Sequence, residues 1–474
     1  MNDIDYSKIL KSALSRGGEY ADLYIEHTVP TAIALEDGKI EKVVSGIESG
    51  AGLRVITGFR TIYAYTNDLA EKALLNLAAE VSRTCARSRS AGSTGFSPAD
   101  SSACGDLILD LREKCPSVNH KIIEPPEGVA VERKLALVKE ADIAARAVSG
   151  KVSQASVQYR DTLQRVTIAC SDGTLARDER YYLVAAVNVV AKDGSIVQTG
   201  YDAEGGNIGF ELFREFPAAS VAEKAARRAV MMLSARSAPG GRMPVVLSSE
   251  AGGTMVHEAI GHGLEADLSQ NGLSVYTGKV GRQVGSPLVT VVDDATLPNR
   301  RGSFTFDDEG IEAQRTVLVE KGILKGFMYD RLTAMKDNAS STGNGRRESY
   351  MARPIPRMTN TMILPGKSEP SEILSSCDRG LLVKKMGGGQ VNTVNGDFVF
   401  EVSEGYIIEK GKASEPVRGA TLVGNGPQAL SGITMVGNDL GFGIGTCGKD
   451  GQGAPVSDAQ PTLLIADIVV GGMH

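Results

Sequence analysis

Two Asp-Gly pairs, Asp37-Gly38 and Asp172-Gly173, each sit among runs of alternating apolar residues, and helical sequence brackets each set. Asp-Gly tolerates the positive φ angles of a tight hairpin turn, so alternation around it specifies antiparallel strands. In the first block, residues 6–16 have helical spacing, 21–27, 31–36 and 53–56 read as strands, and 69–87 read as a helix. In the second, 131–148 is helical, 153–160, 165–170 and 182–191 are strands, and 218–235 is a closing helix. The shared order reads as an internal duplication of 1–103 and 104–238, although α+β chains also reach it without duplication. Between the blocks, the Ser, Ala and Gly of 88–103 have little to bury and read as a flexible linker.

The texture changes after Ala238-Pro239-Gly240-Gly241. From Met243 onward glycine is dense and short strands replace long helices, at 289–292, 315–318, 381–385, 397–402 and 463–470. The fold class is therefore α+β. An N-terminal α+β region spans 1–238, and a large, mainly antiparallel β domain spans 239–474 and carries one helix of special composition.

Composition narrows the function. A chain of 474 residues with 42% hydrophobic content can bury a real core. A net charge of −6 argues against nucleic acid as the main partner. No apolar run reaches a membrane span, and the first ten residues lack a signal pattern, so a cytoplasmic protein without membrane attachment is expected. The six cysteines form no CxxC pair and read as free thiols.

Histidine is scarce, at five residues, yet two of them lie five apart in His257-Glu258-Ala259-Ile260-Gly261-His262. Imidazole is a good zinc ligand, and a Glu beside the first His can serve as a base. At about 3.6 residues per turn, five residues rotate a side chain by roughly 140°, so a regular α-helix would aim the imidazoles apart. A π-type turn would bring them together, and Gly261 could tolerate the distortion. An ordinary buried helix with two incidental histidines is the bland alternative. A third ligand has several sources. Cys447 stands among glycines, where the backbone could turn around an ion, but it could equally be a small buried residue. Glu265 and Asp267 are acidic alternatives, as ligands or as hydrogen-bond partners of the imidazoles.

The chain resembles the TldD/PmbA family, and within it the metal-bearing branch. The resemblance rests on Thr66-Asn67, the run His257 to Asp267, Phe306-Asp307-Asp308-Glu309-Gly310, Ser341 to Arg347, Pro356 to Thr361 and Gly445-Thr446-Cys447-Gly448-Lys449. It implies a zinc metalloprotease with one zinc per chain on His257, His262 and Cys447, and Glu258 as the catalytic carboxylate. It also implies a heterodimer with a related TldE (PmbA) subunit lacking the metal motif, and action on unfolded or extended peptides. The Ser/Ala-rich stretch near 88–104 matches none of these motifs.

The expected chemistry is amide hydrolysis with Glu258 moving the proton. Arg346, Arg347 and Tyr350 are candidate substrate-binding residues, with Tyr329 a further oxyanion donor. Arg346, Arg347, Arg353 and Arg357 form a basic cluster that would bind a carboxylate or serve as structural ion pairs. An extended peptide is expected to add to a sheet edge near the metal. A zinc amidase or deformylase, and a non-enzymatic regulator stabilised by zinc, are the competing readings.

Overall fold

The computed structural model describes residues 4–90 and 109–472. Both Asp-Gly pairs turn hairpins. Asp37 and Gly38, at φ 49° and 77°, link strand Tyr20–Glu36 to Lys39–Ser45. Gly173, at φ 92°, lies between Val152–Cys170 and Thr174–Asp193. These strands are longer than alternation alone suggests. Residues 21–27 and 31–36 form one strand because Tyr20–Glu36 pairs with Val152–Cys170 from Asp22 to Glu36. On its other side it pairs first with Glu48–Thr57 and then with Lys39–Ser45. Pro30, which has no N–H to give, lies at that change of partner.

The two N-terminal blocks therefore share one eight-stranded sheet, joined through Tyr20–Glu36 and Val152–Cys170. Each block covers its part with its own pair of helices. Tyr6–Leu14 and Glu71–Ser90 pack Ile9, Leu10, Leu74 and Ala78 onto Leu23, Leu53 and Val55. Val131–Ala147 and Ala218–Leu233 pack Val138, Ala141, Ala222 and Ala226 onto Val157, Tyr159 and Val187. Helix Glu71–Ser90 continues past Arg87 into the stretch expected to be a linker. The rest of that stretch, with Cys104 and His474, lies outside the described residues.

The C-terminal half holds two larger sheets. In one, Gly241–Leu247, Leu463–Gly471, Thr421–Asn425, Asp397–Glu409 and Arg379–Val391 pair in that order, and Arg379–Val391 pairs again with Gly241–Leu247, so the ladder closes on itself. Closure removes unpaired edges. The other sheet has six strands and ends at Gly441–Lys449, whose ladder partner is Gln452–Gln460. Most pairings are antiparallel, as expected; Val245↔Leu381 and Thr361↔Asp458 are parallel. The helical segment beginning at Thr254 contacts both sheets and buries Met255, Val256, Ala259, Ile260 and Leu264 in the main core.

Buried ion pairs bolt the N-terminal sheet to the C-terminal half. Arg54 meets Asp22 and, at 2.7 Å, Glu309. Arg180 meets Asp178 at 2.9 Å and Asp308 at 2.8 Å. The Phe306–Gly310 motif is thus a joint between the two halves.

Candidate metal centre

The segment carrying the histidines changes pitch twice. Thr254–Val256 is α-helical, His257–Gly261 is a π-turn and His262–Leu264 is a 3₁₀-turn. The His262 N–H reaches back five residues to the His257 carbonyl. That wider turn brings side chains five apart onto one face, as the spacing requires. Gly261 has an ordinary helical φ of −56°, so backbone freedom is not its role. A Cβ there would lie 2.1 Å from Met358 Sδ; the glycine makes room for Met358 under the turn.

The imidazoles stand with centroids 5.2 Å apart and planes at 87°. Cys447, on strand Gly441–Lys449, places its Sγ 3.5 Å from His262 Nε2. Ligand atoms of His257, His262 and Cys447 all lie within 4.8 Å of one another. Tetrahedral zinc with its usual Zn–N and Zn–S lengths separates its ligand atoms by about 3.3–3.6 Å; the Cys447–His262 pair already has that spacing, and the rest of the trio would draw together by up to about an ångström. His257 Nδ1 is buried without a hydrogen-bond partner among the described residues. An orphaned buried nitrogen beside a thiol and a second imidazole suits a site built for a metal. Burial opposes a thiolate at Cys447, but hydrogen bonds from the two imidazoles outweigh it and bring the thiol down to about 5. Burial works against both imidazolium forms; Cys447 raises His257 over it, and Glu265 first and Cys447 second raise His262.

Glu258 keeps 30% of its side chain exposed, with Oε2 3.9 Å from His262 Nε2. It borders the trio and can meet water. Glu265 and Asp267 stand behind the trio. Glu265 is fully buried, and its Oε2 lies 3.1 Å from His262 Nδ1, the nitrogen facing away from Cys447. Lys449 contacts Glu265 at 3.1 Å, Asp267 at 2.7 Å and the Pro356 carbonyl at 3.0 Å. Burial raises the Glu265 carboxyl, but Lys449 and His262 hold it down at about 2. Sequence reading gave Lys449 no role. Its position two residues beyond Cys447, on the same strand face, was the available signal.

The remaining described histidines and the other candidate side chains make their contacts away from the trio or, for Arg357, through the backbone of Cys447. His27 bonds Ser49 and His120 bonds the Phe304 carbonyl. Arg346 and Arg347 are buried; Arg347 bonds Asp22 and the Asp308 carbonyl, the ion-pair role weighed for this cluster. Tyr350 is buried too, its ring against Gly50 and its N–H donating to Glu26. Arg353 is exposed, Arg357 holds the carbonyls of Gln452 and Cys447, and the Tyr329 hydroxyl donates to Asp337.

A mixed fold with a buried His/His/Cys trio and a bordering glutamate defines a metallopeptidase-like centre. The chain belongs to the PmbA/TldA metallopeptidase family: its C-terminal domain matches residues 240–472, its central domain 124–233 and its domain 1 residues 21–85. A "Metalloprotease TldD homolog" of Haemophilus influenzae is 40% identical across 97% of this chain and 94% of its own. A "Metalloprotease" of Methanothermobacter thermautotrophicus is 34% identical across 99% of each. Among solved structures, TldE from Thermococcus kodakarensis shares the fold with a TM-score of 0.73 at 18% identity, covering 98% of this chain and 99% of its own. Among the described residues, no helix is long and apolar enough to cross a membrane.

Proposed function

We propose that this chain is a zinc metallopeptidase that hydrolyses peptide bonds in unfolded or extended peptides in the cytoplasm, together with a TldE-like subunit. The observation that carries the reading is the meeting of His257, His262 and Cys447 across a π-turn and a separate sheet, with ligand atoms within 4.8 Å. These three side chains would hold one zinc, which supplies Lewis acidity and a lowered water pKa. Glu258 accepts the proton of the attacking water and returns it to the leaving amine. Glu265 orients His262, keeping its Nδ1 as donor and Nε2 free to bind. Burial around the trio limits competing solvent.

The 30% exposure of Glu258 favours an open, catalytic position over a closed structural zinc. A family member of the same fold, TldE, supports pairing with a related subunit. Support for extended substrates comes from Gly441–Lys449, a terminal strand of its sheet that bears Cys447. The test is zinc analysis of the purified chain, followed by digestion of unmodified peptides with and without the TldE-like subunit. Equimolar zinc and new peptide termini are expected. Release of formyl or side-chain amide groups without peptide cleavage would favour an amidase.

A further inference from the structure

Most buried arginines of this chain are matched. Arg54, Arg180, Arg228 and Arg347 each meet a carboxylate, and Arg357 meets two backbone carbonyls. Arg301 and Arg346 have less: neither makes an ion pair among the described residues, and each donates to a single backbone carbonyl where Arg357 donates to two. Arg346 is 2% exposed and donates from Nη1 to the Met358 carbonyl at 2.6 Å. Arg301 is half-buried and donates from Nε to the Gly445 carbonyl at 3.2 Å, and among the described residues neither Nη group has a protein acceptor. The Tyr182 ring lies 5.9 Å from the Arg301 guanidinium, and both arginines feel the Tyr182 hydroxyl. Burial pushes Arg301 down to about 10, and the Arg346 charge adds to this. Arg346 feels Asp308 only from beyond contact distance, and neither guanidinium touches a carboxylate among the described residues; like charges held partly or wholly out of water are costly, and a bound anion relieves that cost.

Both guanidiniums are tied to the elements that build the metal centre. Gly445 precedes Cys447 by two residues on one strand, about 7 Å along it. Met358, whose carbonyl holds Arg346, packs its sulfur against Gly261 between the two histidines.

We propose that Arg301, backed by Arg346, binds a carboxylate of the peptide substrate beside the cleavage point. The proposal rests on the peptidase reading above. A guanidinium fork matches a carboxylate in two parallel hydrogen bonds, and the free Nη groups of Arg301 supply them. The carboxylate belongs either to the peptide's C-terminus or to an Asp or Glu side chain near the scissile bond. The first source makes the enzyme trim chain ends, and the second gives an internal preference for acidic residues.

The test is binding of fluorescent peptides to the Glu258→Gln chain with its TldE-like partner, read by anisotropy. The peptides are a neutral one with a free C-terminus, its C-terminal amide, and amidated versions with one internal Glu or Gln. The carboxylate-bearing peptide should bind about tenfold or more tightly than its neutral counterpart. Tighter binding of the free acid identifies the terminal source, and tighter binding of the Glu peptide identifies the side-chain source. Arg301→Gln should abolish the difference, and Arg301→Lys should retain part of it. Equal binding of all peptides with Arg301 in place overturns the subsite, as does a preference unchanged in a folded Arg301→Gln chain. If Arg301→Gln does not fold, the peptide comparison and Arg301→Lys decide. Binding requires no cleavage, so a wild-type complex that prefers carboxylates yet cuts nothing would overturn the peptidase reading and leave the subsite standing.

Discussion

His262 Nδ1 and Glu265 Oε2 lie 3.1 Å apart, and that same carboxylate oxygen lies 3.1 Å from Lys449 Nζ. Strand Gly441–Lys449 thus supplies both Cys447 and the cation that secures the partner of His262. Replacing Lys449 by Met removes the largest charge that balances buried Glu265 and leaves His262 and Arg357 to do so. Zinc affinity should fall about 10–100-fold, as for other residues that orient metal-binding imidazoles. Competition with a chelator measures it. Unchanged affinity in a folded variant would show that Lys449 does not support the site.

Cys447→Ala and Glu258→Gln should separate binding from chemistry. The first removes one of the three proposed ligand atoms and should deplete zinc in the purified chain. The second keeps the volume beside His262 but cannot accept a proton, so zinc should remain while peptide cleavage falls by roughly 10²–10⁴-fold. Metal content and turnover of each variant give the answer. Wild-type turnover in Glu258→Gln would exclude that carboxylate as the base.

Gly261→Ala tests why the π-turn carries a glycine. The new Cβ would lie 2.1 Å from Met358 Sδ, and Met358 is fully buried. Overpacking of this kind costs about 1–3 kcal/mol. Denaturant unfolding should show that loss, and adding Met358→Ala should recover part of it. Additive losses in the double variant would mean that the two side chains do not compete for space.

Much of this architecture was legible in the residues. The Asp-Gly pairs at 37–38 and 172–173 located two of the N-terminal hairpins, because positive φ at a turn is a local requirement. The five-residue histidine spacing called for a π-turn if both imidazoles were to face one ion, and the π-turn is there. Strand lengths were not legible: Thr28–Pro30 stays extended through long-range pairing with Leu163 and its neighbours, which alternation cannot report. Nor was the burial of Arg347 and Tyr350. Their partners, Asp22 and Glu26, lie more than 300 positions away in sequence. Gly261 illustrates a subtler gap, since its cause is Met358 and not its own dihedral angles.

Arg54→Met should loosen the joint between the halves. Arg54 is 1% exposed and its loss leaves Asp22 and Glu309 as buried carboxylates short of a counter-charge. Breaking one side of a buried pair typically costs about 3–5 kcal/mol. A lower denaturation midpoint with metal binding retained is expected, because the proposed ligands His257, His262 and Cys447 all belong to the C-terminal half. A variant as stable as wild type would mean that water or rearrangement replaces the guanidinium.

The same sheet that presents Cys447 bears on the need for a partner. Gly441–Lys449 ends its sheet, so an extended peptide could pair with it through main-chain hydrogen bonds. Two of its carbonyls are already occupied, Gly445 by Arg301 and Cys447 by Arg357. A peptide strand laid here is therefore held by fewer bonds than a full ladder provides, and a second wall would be needed to hold it firmly. A Tld-type partner subunit placed across the strand would supply that wall and also exclude folded domains, whose backbone is already paired. This chain alone should be weakly active despite a complete ligand set, and addition of the TldE-like subunit should raise cleavage of unfolded peptides. The measurement is digestion of one protein in folded and denatured forms, by each subunit alone and by the mixture. Equal cleavage of both forms would contradict selection for extended chain. Full activity from this chain alone, shown monomeric by sedimentation, would remove the partner from the mechanism.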